Sequence, residues 1–513
     1  MEILAYSEDN LAIALSNTYT SSSVVSNKNH FIYLKDYLGD KGLKAKTIVI
    51  ENDYVSKDFL HDYASYYALC FENYPKVCKR VHFFNSEFSE QELINFILDI
   101  HNTELTSDYL GYIVVKPIPL TIIGNTILKT YPENISGPYK REFWGIRDYE
   151  IHLYGRKLIV KSLAFQEQDS VLAACATTAV WSMLNKAASD YRTILKTPSE
   201  ITKDADNISH DGSRLFPNSG LNLLQICKSI LNSGLVTEVK NPDYLIEDLD
   251  GNEELVVSNS YLKRVLNAYS LIGIPVILII SVPSGNDFGL HAVAVSGFKQ
   301  KSPEHIDPTN EISWHAENIE TIYVHDDQWG PFARVLFKEG YLLQTDWTIF
   351  DKQERPTTVV KIVVPVYPKI RISYEDIEAL IIPIDLIFTL FFDNQIKSDL
   401  VWDVKIDYSE NFKALLKTSS LSHEEKLIVL TRSLPKYIWV ASCYIGEFKI
   451  IDFVFDATDV SNGMIGKDLI CYLNQGLRIK LLNFLKANQS QLELAFINHK
   501  RLDYYKFIID KLS

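Results

Sequence analysis

Apolar positions along the chain change their spacing from block to block, and the spacing predicts the elements. From Gln91 to Ile100 they recur at helical intervals. Tyr109-Leu-Gly-Tyr-Ile-Val-Val is a continuous apolar run of strand length, closed by Lys116-Pro-Ile-Pro. Leu158-Ile-Val-Lys-Ser-Leu predicts another strand. Ala176, Ala179, Val180, Met183 and Leu184 then stand at i, i+3, i+4, i+7 and i+8, one face of a buried helix, with Cys175 just ahead of it. A second helix is predicted after Gly220 and a third from Tyr261 to Tyr269. Strands follow at Ile274–Ile280, His291–Phe298 and Thr321–Asp327, then at Phe332–Phe337 and Thr358–Val366.

The pattern shifts again near 366. The most apolar window, Ile377–Phe392, is broken by Glu378, Pro383 and Asp385. It is too short to span a bilayer and predicts a buried strand and helix. Tyr437–Ala441 and Phe448–Phe455 predict a hairpin around Gly446, and Lys467–Lys511 reads as helical.

Helices followed by strands give an α+β order for the centre. With 513 residues the chain exceeds one ordinary core, since domains run about 100–200 residues. The expected division is an α/β region at 1–150, a central α+β domain at 151–365 and an α+β region at 366–513.

Composition adds exclusions. Hydrophobic residues make up 47% and charged residues 23%, an ordinary globular balance. The net charge of -14 lacks the positive footprint a nucleic-acid binder needs, so no nucleic-acid partner is expected. The N-terminus has neither a basic n-region nor an apolar h-region, so a soluble, cytoplasmic protein is expected. The six cysteines are scattered without a CxxC pair, a usage that fits reduced thiols. HExxH, P-loop, GxGxxG and GxSxG motifs are absent. Oligomeric state is left open by the sequence.

One constellation carries chemistry. The thiolate is the form of cysteine that attacks, and a helix N-terminus and a neighbouring imidazolium both favour it. Cys175 is predicted at such an N-terminus. His291 opens a strand after Ser284-Gly-Asn-Asp-Phe-Gly-Leu, where its ring projects toward a cleft as the base. Asp326 ends the next strand, in Val324-His-Asp-Asp-Gln-Trp-Gly-Pro. If the two strands are antiparallel neighbours, it lies beside His291 to orient the ring, with Asp327 as the alternative. Gln168, with Gln166 as the alternative, is the candidate oxyanion donor together with the Cys175 backbone N–H.

At these residues the chain resembles the C39-like branch of the papain-like cysteine peptidase superfamily. The resemblance rests on Gln168-Asp169, Cys175-Ala-Thr-Thr-Ala, His291-Ala-Val-Ala-Val-Ser-Gly-Phe and Val324-His-Asp-Asp-Gln-Trp-Gly-Pro-Phe, in that order. It covers roughly 150–365 and neither flank. It implies a helical lobe bearing the nucleophile packed on an antiparallel sheet, with Cys175 as nucleophile, His291 as base, Asp326 orienting it and Gln168 lining the oxyanion hole. A protein or peptide substrate and no cofactor are implied. The chain departs from the pattern in having Ala176 after the cysteine, six residues between Gln168 and Cys175, and a long insert including Lys301–Asn318.

Other residues have plainer readings. Cys227, Cys443 and Cys471 read as small buried hydrophobes. His325 falls on the opposite strand face from Asp326. His305 and His315 sit in a polar insert and are expected to be solvated. Trp329 and Phe332 read as packing residues. Asp326 and Asp327 also fit a turn cap or a cation pair.

Overall fold

The computed structural model describes residues 2–100, 104–135, 137–169, 174–190, 193–205, 220–247, 253–301, 312–392, 400–460, 463–498 and 502–513. It is a mixed α and β molecule built on antiparallel sheets.

The first sheet holds five strands in chain order: Glu2–Ala5, Thr47–Tyr54, Cys78–Phe84, Tyr109–Val115 and Ile123–Leu128. Every pairing is antiparallel, which corrects the α/β expectation for this region. The physical reason lies in the burial. Ile48, Ile50, Val81 and Phe83 pack in one cluster with Leu11 and Leu34 of the helices Glu8–Leu15 and Asn29–Leu38. Val49, Tyr109 and Val114 pack with Phe59, Leu93 and Phe96 of Lys57–Ser65 and Glu90–Ile97. With both faces covered, Tyr109–Val115 is apolar throughout, the pattern usually seen in parallel strands.

The central sheet has eight strands, all antiparallel. Its main path runs Leu343–Gln344, Gly330–Phe337, Ile319–Asp326, Asp287–Lys301, Val276–Ser284, Thr358–Val366 and Val236–Lys240. Tyr139–Phe143 pairs with the far end of Asp287–Lys301, so a strand from before residue 150 belongs to this sheet. The His291 strand starts earlier than its polar residues suggest. A two-residue turn at Gly285-Asn286, with Gly285 at φ 61°, joins it to Val276–Ser284, and His291 pairs with Ile280 inside the ladder.

Helix Cys175–Asp190 lies against the strand Asp287–Lys301. Beyond its apolar face, Thr177, Thr178, Ser182 and Asn185 are buried as well, so the helix is enclosed nearly all round.

The last sheet pairs Leu400–Tyr408, Tyr437–Ile445, Phe448–Asp456 and Gly466–Cys471 antiparallel. Ser313–Trp314, from the central insert, joins it in parallel. Two sequence expectations change here. Tyr374–Phe391 is a single helix with Pro383 inside it, and the supposed helical tail begins with the strand Gly466–Cys471. Apolar alternation in Lys467–Cys471 is too short to separate a strand from a helix turn. One apolar cluster runs from Val49 to Leu512, joining all three regions. Among the described residues no helix is long and apolar enough to cross a membrane.

Candidate active site

The proposed nucleophile and its base come from different layers. Thr178 N donates to Ala174 O at 3.1 Å, so Cys175 is the first residue of its helix. The first N–H groups of a helix have no partner within it, which favours a negative charge on the thiol beside them. Cys175 keeps part of its surface exposed.

His291 projects from the neighbouring strand, and Ile319–Asp326 runs antiparallel beside that strand, with His325 opposite Ala294. The pairing of Ile319–Asp326 with Gly330–Phe337 shifts register between Val324 and Asp326. Such irregularities re-aim side chains. Here His291 Nε2 lies 3.0 Å from Asp326 Oδ1 and 3.3 Å from Asp327 Oδ1. Cys175 lies close enough to the same ring to be among the groups that raise its pKa.

The His291 side chain and both carboxylates are at most 7% exposed, so their mutual charges are weakly screened. Burial alone would lower the His291 pKa. The charge and hydrogen bond of Asp326, the Cys175 contact and Asp327 outweigh it and hold the imidazole well above its ordinary value. Burial would raise Asp326, but His291, the Trp347 indole and the Gln328 N–H bring it below the usual carboxylate range.

The two adjacent aspartates therefore differ. Asp326 also accepts from Trp347 Nε1 at 2.8 Å and Gln328 N at 3.0 Å. Among the described residues, neither carboxylate oxygen of Asp327 accepts a hydrogen bond of good geometry. Thr178 stands beside it, yet its hydroxyl donates to Cys175 O at 2.8 Å. Burial and the Asp326 charge push Asp327 up to about 7 against the pull of His291. Of the two alternatives, Asp326 has the better geometry for orienting the ring.

Aromatic rings close one side. Trp347 stands edge-on to His291 at 5.3 Å between centroids, Trp329 is 6.1 Å from Trp347, and Phe350 stacks on Trp329 at 4.9 Å. Trp329 is buried, as expected of a packing residue. Trp347 was not singled out from the sequence, where nothing in its spacing ties it to the other residues.

A second missed layer comes from the N-terminal region. The Asp327 backbone oxygen accepts from His30 Nε2 at 2.8 Å and from Gln168 N at 3.4 Å. Glu167 pairs with Lys28, and its other oxygen takes the Ile123 N–H at 3.0 Å. Tyr33 donates its hydroxyl to Pro331 O at 2.6 Å. Its ring lies so close to Gly330 that an added Cβ there would sit 2.2 Å away. The Asp-Gln-Trp-Gly-Pro turn is thus braced from outside the central sheet.

Gln168 is half-buried and Gln166 buried. The backbone bond to Asp327 brings Gln168 beside the Asp326–Asp327 turn. Residues 170–173, which connect it to Cys175, lie outside the described residues, as do His305 and the rest of 302–311. His315 departs from the solvated expectation: it is half-buried, with Asp403 among the charges acting on it. His325 donates from Nε2 to Leu163 O at 3.1 Å and accepts the Phe332 N–H at Nδ1 at 3.3 Å, so both ring nitrogens are committed. Burial pushes it down to about 4.

His291, Asp326 and Asp327 each offer one ligand atom, and these lie within 4.8 Å of one another, close enough to share a metal ion. No known family model matches the chain, and no curated protein matches it.

Proposed function

We propose that the chain is a cysteine hydrolase of the papain-like, C39-like kind, acting on a peptide or isopeptide bond. The observation that carries this reading is the His291 ring, with Asp326 Oδ1 3.0 Å from Nε2 and Cys175 among the groups that raise its pKa. A helix-borne thiol packed on an antiparallel sheet that supplies both partners supports it further.

In this reading the thiolate of Cys175 attacks the substrate carbonyl carbon, forming a C–S bond as the carbonyl electrons move to oxygen. The Cys175 N–H and the Gln168 side-chain amide stabilise that oxyanion. The tetrahedral adduct collapses, the C–N bond breaks, and the leaving amine takes the proton from His291 Nδ1. Water then gives a proton to Nδ1 and attacks the thioester, and its collapse restores the thiolate and releases the acid. Asp326 holds the ring with Nε2–H pointed at itself throughout. The steps call for no cofactor.

The same thiol and base would serve a deamidase or an acyltransferase, and a peptidase-like module without turnover is the other class of reading. One comparison separates them: the proteomes of cells carrying the active chain or its Cys175→Ala variant. New protein termini that depend on Cys175 support the peptidase. Deamidated side chains without new termini move the site to amide hydrolysis. Identical proteomes remove the enzymatic reading.

A further inference from the structure

Asp327 is the anomaly of the site. Its carboxylate is 4% exposed, and among the described residues neither oxygen accepts a hydrogen bond of good geometry. Buried polar groups in native proteins almost always have partners, and a buried carboxylate without one is costly. Asp327 nonetheless aims Oδ1 at the imidazole edge already used by Asp326, 3.3 Å from Nε2.

We propose that His291, Asp326 and Asp327 form a site for a divalent cation of the Zn2+ type, and that the cation and the catalytic hydrogen bond exclude each other. Imidazole nitrogen and carboxylate oxygen are donors that Zn2+ accepts, at about 2.0–2.2 Å. Two atoms bound tetrahedrally to one ion at that range lie about 3.3 Å apart. The Nε2 separations are 3.0 Å to Asp326 Oδ1 and 3.3 Å to Asp327 Oδ1. Three protein donors leave a fourth position for water. Trp347, bonded to Asp326 Oδ2 at 2.8 Å, fixes that carboxylate from outside, as ligand carboxylates commonly are. Cys175 does not belong to this group of donors and is not a ligand.

The cation takes the Nε2 lone pair, and the Nε2 proton leaves to solvent. The Nε2–H bond to Asp326 that orients the ring cannot persist with the cation in place, so the loaded chain is the restrained form. This restraint rests on the cysteine-hydrolase reading; the cation site itself does not.

Calorimetric titration of the full chain with Zn2+ tests the site. Wild type and Cys175→Ala should bind one ion with equal affinity, and Asp327→Asn should bind more than about tenfold more weakly. Unchanged affinity in Asp327→Asn, or loss of binding in Cys175→Ala, overturns the site. Co2+ bound to wild type gives a second readout that needs no variant to fold. Its d–d bands should appear without a sulfur-to-cobalt charge-transfer band, and a sulfur band or the absence of binding overturns the site. For the restraint, Zn2+ should slow alkylation of Cys175 in wild type, a chelator should restore it, and Asp327→Asn should be indifferent to both. If Zn2+ binds without slowing alkylation, the restraint is overturned and the site stands. If the chain proves inactive on every substrate, the calorimetric and cobalt results are unaffected.

Discussion

His30 places Nε2 2.8 Å from the backbone oxygen of Asp327, across 297 positions of sequence. A carbonyl only accepts, so the ring donates. Burial lowers the His30 pKa, against the pull of Glu167, and favours the neutral ring. The contact ties the N-terminal helix Asn29–Leu38 to the residue that follows Asp326. His30→Ala leaves a buried carbonyl short of a donor and should destabilise the fold by about 1–3 kcal/mol. His30→Gln, whose amide can donate, should recover part of that loss. Equilibrium denaturation of the three proteins measures both differences.

Trp347 makes two contacts that one substitution separates. Trp347→Phe keeps a ring against His291 but removes the 2.8 Å bond to Asp326 Oδ2. The buried carboxylate then loses one of its donors, at a cost of about 1.5–3 kcal/mol for a bond to a charged group. Denaturation should show that loss, and alkylation of Cys175 should slow because Asp326 is less firmly held. A variant as stable as wild type would mean that water replaces the indole.

His325 predicts a pH effect with a definite sign. Its folded value is pushed down to about 4, and an exposed histidine titrates near 6.5. Between those values the unfolded chain holds a proton there that the folded chain does not. The contribution is complete above about pH 6.5 and is lost as pH falls toward 4. In His325→Asn the slope of unfolding free energy against pH in that window should drop by about 1.4 kcal/mol per unit. Stability curves of both proteins from pH 4 to 7 measure it. Buried Asp327, raised to about 7, works in the opposite direction and is common to both proteins.

Much of the site was legible because its residues sit at element ends. Cys175 starts an apolar helix and Asp326 ends an apolar strand, and local periodicity marks both positions. His291 was located, but its strand was read as starting too late, because Asp287, Gly289 and the turn at Gly285 give a hairpin tip the composition of a loop. The N-terminal sheet was misread for a related reason: helices on both faces erase the alternation that marks antiparallel strands. Trp347, His30 and Glu167 were out of reach, since each acts through a contact between distant segments that no local spacing encodes. The Asp327 carboxylate, aimed at the His291 ring without a hydrogen bond of good geometry among the described residues, is likewise visible only in three dimensions.

The central claim is that His291 activates Cys175, and the rates of alkylation of the individual cysteines test it most directly. Cys70 and Cys227 are also partly exposed and serve as internal references. With limiting iodoacetamide near neutral pH, peptide mass spectrometry should find Cys175 modified first. In His291→Ala its rate should fall by at least about tenfold, toward that of a thiol without a base, while Cys70 and Cys227 keep theirs. If Cys175 reacts no faster than Cys70 and Cys227, and His291→Ala leaves its rate unchanged, the thiol is an ordinary one and the account fails.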